Sequence, residues 1–182
     1  MMGHVMNMLT DFLDEVGGPQ ATQAIFERAQ IERKSYRFEV VYPEEEFGAL
    51  VGAALEVLDL EVPDVEKAFA EYFMRVSPEL FPAIFELSPD AKTLLQRVPI
   101  LHKSIPSAAS RKEYHEKLVV EETGEMQLRM HYDSPHRLCG FLKHLLQLTL
   151  DFYDEKAHIS EHACAREGAP VCLIDVEFQR AG

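Results

Sequence analysis

The feature that most constrains this chain is a change of hydrophobic period partway along it. Up to about residue 105, apolar side chains recur every three or four positions, the spacing that gathers them on one face of a helix. From Met126 the spacing drops to two, with Met126, Leu128, Met130 and Tyr132 alternating with Gln127, Arg129 and His131. Such alternation belongs to a strand with one buried face. Helices segregated from an antiparallel sheet define an α+β fold, a helical N-terminal lobe followed by a helix plus antiparallel-sheet C-terminal lobe.

The helices can be placed one by one. Val5, Met6, Leu9, Phe12 and Leu13 line one face over residues 5–16. Gly17-Gly18 ends that helix, and Pro19 suits the first turn of the next. A helix starting near Pro43 carries Phe47, Leu50, Val51, Ala54, Leu55 and Leu58. Two more are expected from Pro63 to Met74 and from Pro78 to Leu87, and Ser88-Pro89-Asp90 opens another over 91–105 that contains Pro99. A hairpin over 117–122 and 125–133 turns at Thr123-Gly124. Ser134-Pro135 is expected to cap a long helix with a stripe of Leu138, Leu142, Leu145, Leu146 and Phe152, with Thr149 at the same spacing. A second hairpin pairs 156–164 with 171–179.

At 182 residues and 47% hydrophobic content, the chain can bury one substantial core, so a single domain over 1–182 is expected, with lobes at roughly 1–62 and 63–182. The net charge of -13 and the lack of a dense Lys/Arg cluster argue against nucleic acid and anionic membrane as partners. No long apolar run and no signal-peptide pattern is present, which predicts a cytoplasmic protein. No phosphate-cradling glycine loop, nucleophile elbow or convincing carboxylate pair appears, so an enzyme is not expected.

Three cysteines cannot all pair within one chain, which favours reduced thiols. Cys164 ends one expected strand and Cys172 starts its hairpin partner, so their sulfurs can approach, while Cys139 lies on the preceding helix. With His162 or His158 as the fourth ligand, these three thiolates suit a closed, tetrahedral zinc site. Three separately buried cysteines are the alternative.

His102 falls on the apolar side of its helix, which by itself reads first as a packed core residue and second as an axial ligand to a haem iron. About 30 residues later, Tyr132-Asp133-Ser134-Pro135 sets two hydroxyls and a helix start close together, a natural seat for a carboxylate.

The opening Met-Met-Gly-His-Val-Met-Asn, the helical first half, His102, the hairpin ending in Tyr132-x-Ser134 and the final long helix together resemble the H-NOX (haem nitric oxide/oxygen binding) family over essentially the whole chain. The resemblance implies haem b with His102 as its proximal ligand and Tyr132 and Ser134 on the propionates. The family motif Tyr-x-Ser-x-Arg has His136 at its last position here, with Arg137 next, so either residue is a candidate third propionate contact. A guanidinium grips a carboxylate as a bidentate fork, which imidazole cannot reproduce.

Oxygen-binding members carry a tyrosine on the helix after the motif, whereas Leu138 to Leu150 holds Phe141 and leucines but no tyrosine. The resemblance therefore implies a nitric oxide sensor signalling to a separate partner, a histidine kinase or cyclic-di-GMP enzyme. Redox-responsive members carry zinc in the region of the Cys/His tail. The departure at His136 leaves a second reading open, a haem-free binding or redox-interaction module built on the zinc cluster.

Overall fold

The computed structural model describes residues 1–104 and 118–179, with the side chains of 102–104 left out. Its contacts divide the chain into two compact units, with the break between Tyr72 and Phe73. That break falls inside a helix.

The first unit begins with α1 (Gly3–Arg28), which is two helices joined across a kink at Gly18, where φ is 77° and ψ is 165°. A left-handed φ is open to glycine at little cost, which is why Gly17-Gly18 marks the joint in the sequence. The α2 helix (Glu44–Leu58) follows, with Glu44, Glu45 and Glu46 in its first turn, favourably placed on the helix dipole. The α3 helix (Val62–Leu80) contributes its first half here. Met6, Leu9, Leu13, Ile25, Phe26, Phe47 and Leu50 are fully buried, and Phe12 packs on Phe69 and Tyr72 with ring centroids 5.2 and 5.7 Å apart.

The connection between α1 and α2 folds back onto the start of the chain. The amide of Gly3 donates to the Val40 carbonyl at 2.8 Å, and Met2 bridges Val41. A Cβ on Gly3 would lie 1.9 Å from the Arg37 carbonyl oxygen, so only glycine permits this approach. Asn7 completes the clamp: its side-chain amide donates to the Tyr36 carbonyl at 2.8 Å and accepts from the Tyr36 N–H at 2.9 Å.

Sequence periodicity misplaces one boundary at this point. Pro78 does not open a helix but sits inside the last turn of α3, where it forfeits a single backbone hydrogen bond. The break comes at Phe81, whose φ of -130° and ψ of 52° are not helical, and Pro82 takes the first position of the short α4 (Pro82–Glu86).

The second unit holds the sheet. Its first long helix is α5 (Ala91–Ser104), started by Asp90, whose carboxylate accepts the Thr93 N–H at 2.6 Å. Four antiparallel strands follow: β1 (Leu118–Gly124), β2 (Gln127–Tyr132), β3 (Ala157–Ala163) and β4 (Cys172–Phe178), in the spatial order β1-β2-β4-β3. Between the hairpins runs α6 (Cys139–Phe152).

Leu142, Leu146 and Leu150 of α6 pack with Leu128, Met130, Ile174, Val176 and Phe178 of the sheet, and Ala91 and Leu95 of α5 join the same core. The alternation in β2 is borne out, since Leu128 and Met130 are wholly buried. Phe152 departs from the expected stripe. It is 51% exposed and instead meets Phe85 and Tyr153 edge to face. Six residues beyond Leu146, at about 100° per residue, it has rotated well off the buried face.

Candidate functional site

The α5 helix carries His102 in its last turn, and its position is set by polar ties along its length. Lys92 donates to Glu122 of β1 at 2.8 Å and Gln96 donates to the same carboxylate at 3.0 Å. The Lys92 hydrogen bond, followed by that of Gln96, holds the Glu122 carboxyl below its ordinary pKa. The helix thereby packs on β1 and α6. The His102 side chain lies outside the described residues.

At the far end of β2, Tyr132 is half-buried and Ser134 is buried. The helix expected to start at Ser134-Pro135 starts later. Arg137 has a φ of 52°, a left-handed backbone that no helix tolerates, and α6 begins only at Cys139. Residues 134–137 form a turn instead, closed by the Arg137 N–H donating to the Ser134 carbonyl at 2.9 Å. The Ser134 hydroxyl still reaches the helix start, accepting the Leu138 N–H at a long 3.5 Å.

A buried hydroxyl free to donate its own proton, a phenol and the amides of a first helical turn are a donor set that fits a carboxylate. Of the two motif alternatives, His136 is half-buried and Arg137 is exposed.

Next to this turn lies the thiol cluster. Cys139, Cys164 and Cys172 are all buried, and their sulfurs lie within 4.8 Å of one another. The Cys139 and Cys172 sulfurs are 3.0 Å apart, and no disulfide joins them. Cys164 is the N-cap residue of a single 3₁₀ turn, Ala165–Glu167, and the Ala165 N–H points at the Cys172 sulfur at 3.4 Å. Burial above all pushes the Cys139 and Cys164 thiols above their ordinary values, aided by Cys172 beside Cys139 and by Cys139 beside Cys164, while the Arg166 amide acts in the opposite direction. Three convergent sulfurs with amide donors behind them suit a soft metal ion. Tyr132 ties the two places together, because it pairs with Cys172 across the sheet and packs on the cluster.

Neither expected imidazole joins the thiols. His158 pairs with Glu177 near the opposite end of the β3–β4 ladder. His162 meets Asp175 instead, with Nε2 3.0 Å from the carboxylate. Asp175 is buried and also takes a bidentate pair from Arg129, at 2.7 and 2.8 Å, and that guanidinium is the main reason its carboxyl stays ionised to lower pH than usual. Sequence reading missed this Arg129–Asp175–His162 group because its members come from three different strands. Alternation does mark Arg129 and Asp175 as facing away from the core.

The family model described as haem-NO-binding matches residues 2–161 of the chain. The chain belongs to the H-NOX family. Members of this family are haem-based gas sensors. Among solved structures, an H-NOX protein from S. oneidensis in the Fe(II)NO ligation state is 23% identical, with a TM-score of 0.74 over 99% of this chain and 100% of that one. The oxygen complex of an H-NOX domain related to soluble guanylate cyclases is 14% identical with a TM-score of 0.81, covering 99% and 96%. An unliganded Fe(II) H-NOX mutant from K. algicida is 19% identical with a TM-score of 0.76, covering 99% and 97%. A comparison with curated protein sequences finds no match. These structures share the H-NOX fold with this chain, a helical part followed by a helix and sheet part. No helix among the described residues is long and apolar enough to cross a membrane.

Proposed function

We propose that this H-NOX chain is a haem-based nitric oxide sensor that acts on a separate protein, with a zinc ion on its thiol cluster. The observation that carries the haem assignment is the carboxylate-fitting seat at the start of α6, in a chain whose family binds haem. His102 would be the proximal ligand, on a helix anchored at Asp90 and at Glu122. Tyr132 and Ser134 would hold the propionates, together with His136 or Arg137. Haem b bound through one imidazole supplies an open axial position for a diatomic gas.

Around it, the chain's own residues would orient and select. Ser134 would offer its hydroxyl proton to a propionate while accepting the Leu138 N–H, which links the loop to the start of α6. On α6 the family's distal tyrosine is absent, and Phe141 packs edge to face on Phe73 at 5.6 Å. Without a tyrosine hydroxyl on that helix, polar bound oxygen would gain no phenol hydrogen bond from it, which favours nitric oxide.

The output partner would be a histidine kinase or a cyclic-di-GMP enzyme encoded separately, in the cytoplasm. The buried thiol trio, which needs no haem, favours one second reading: a haem-free binding or redox-interaction module that uses the zinc cluster alone. Absorption spectroscopy after haem reconstitution separates the two. A sharp Soret band that His102→Ala loses and exogenous imidazole restores supports the sensor, and absence of the band in the parent protein leaves the haem-free reading. A stable oxygen complex in air would refute the gas preference.

A further inference from the structure

A tetrahedral zinc site needs a fourth ligand, and the three thiols supply only three. The strand register decides which neighbour can complete it. Directly paired residues of a sheet share a face, and Glu161 pairs with Ile174, a core residue of the helix-covered face. Cys172 lies two residues before Ile174 on β4, so it points to that face as well.

Between Glu161 and Ala163 the β3–β4 ladder skips a residue. The extra residue is His162. A bulge of this kind lets two successive side chains turn the same way. His162 leaves by the solvent face, where it meets Asp175, the partner of Ser160. Glu161 and Cys164, three apart in sequence, consequently share the covered face.

Lys143 of α6 confirms the direction in which Glu161 points, since its ammonium pairs with that carboxylate at 2.9 Å from the helix side. Its charge is also what the site needs. Three thiolates and a carboxylate around Zn²⁺ carry a net charge of about -2, and a nearby ammonium offsets part of it.

Resting on the zinc reading above, we infer that Glu161, and not His162, is the fourth zinc ligand of the Cys139–Cys164–Cys172 cluster, with Lys143 as the residue that positions it. His162 instead belongs to the Arg129–Asp175 group on the opposite face of the sheet, where its Nε2 meets the Asp175 carboxylate that Arg129 also grips.

The test is zinc(II) binding by the full-length reduced protein, measured as metal content and as affinity in chelator competition. Zinc K-edge absorption then reports the ligand set. Losing even an outer partner of a metal ligand typically weakens binding tenfold to a hundredfold. Glu161→Ala is therefore expected to weaken zinc by about a hundredfold or more, Lys143→Ala by roughly tenfold, and His162→Ala by less than about threefold. The parent spectrum should show three sulfurs, one light ligand and no imidazole outer-shell scattering.

Should Glu161→Ala fold poorly, Glu161→His provides the check, because it should bind zinc and introduce imidazole scattering. Loss of zinc in His162→Ala with retention in Glu161→Ala overturns the inference while leaving the zinc site intact, as does imidazole scattering in the parent. A parent protein that binds no zinc, together with a Cys172→Ser variant indistinguishable from it, overturns the zinc reading as well.

Discussion

The clamp that Asn7 places on Tyr36 offers a sharp test of how the N-terminal unit is held. In Asn7→Ala, the Tyr36 N–H and carbonyl both lose their partner at once, while the methyl group that remains neither donates nor accepts. Tyr36 is only 3% exposed, so water replaces the lost bonds poorly. An unsatisfied buried polar group costs about 1–3 kcal/mol, and at this partly buried site the lower end applies to each, for a total of about 2 kcal/mol.

For a chain of this size, each kcal/mol moves Tm by about 2–4 °C, so a fall of about 4–8 °C is expected. Urea unfolding followed by far-UV circular dichroism should show the same loss as a lower midpoint with an unchanged slope. Gln23→Ala is the control on the same helix. It removes an exposed hydrogen bond to Glu27, and pairs of this kind contribute about 0.2–0.5 kcal/mol. If the two variants lose stability equally, the connection before α2 is not held by this clamp and the reasoning is refuted.

Two further outcomes follow from burial and charge. Leu146→Ala empties a site that is 1% exposed between α6 and the sheet and should cost about 2–5 kcal/mol, whereas Leu87→Ala, at a position 60% exposed, should cost under about 1 kcal/mol by the same denaturation assay. Asp175 has its folded-state pKa lowered, chiefly by Arg129, so its contribution to stability is fully present above the unfolded carboxylate value of about 3.9 and disappears as pH falls through the lower folded value. Asp175→Asn should therefore be less stable than the parent near pH 7 and should lose less stability on acidification below about pH 4; parallel pH profiles for the two proteins would contradict this.

Much of the candidate site can be read along the chain. His102 stands on an apolar helix face, Tyr132 and Ser134 close a strand that alternates, and the spacing of Cys164 and Cys172 around a turn brings their sulfurs together with Cys139. Glu161 escapes the same reading, because strict alternation puts His162 and Cys164 on one face and Glu161 on the other. One extra residue in β3 reverses that assignment, and nothing in the local sequence announces it.

What the sequence determined by itself is the order and type of the elements, because hydrophobic period is a property of neighbours a few residues apart. The switch from helical spacing to alternation, the Gly17-Gly18 joint, the Asp90 helix start and both hairpins are local in this sense. Tertiary structure alone decided that Pro82 rather than Pro78 opens a helix, that α6 waits until Cys139, and that Phe152 leaves the core. It also decided which side of the sheet each ligand candidate faces. Those outcomes depend on contacts between residues far apart in the chain, such as Tyr132 beside Cys172, Lys143 on Glu161 and Arg129 on Asp175, whose energies no local pattern records.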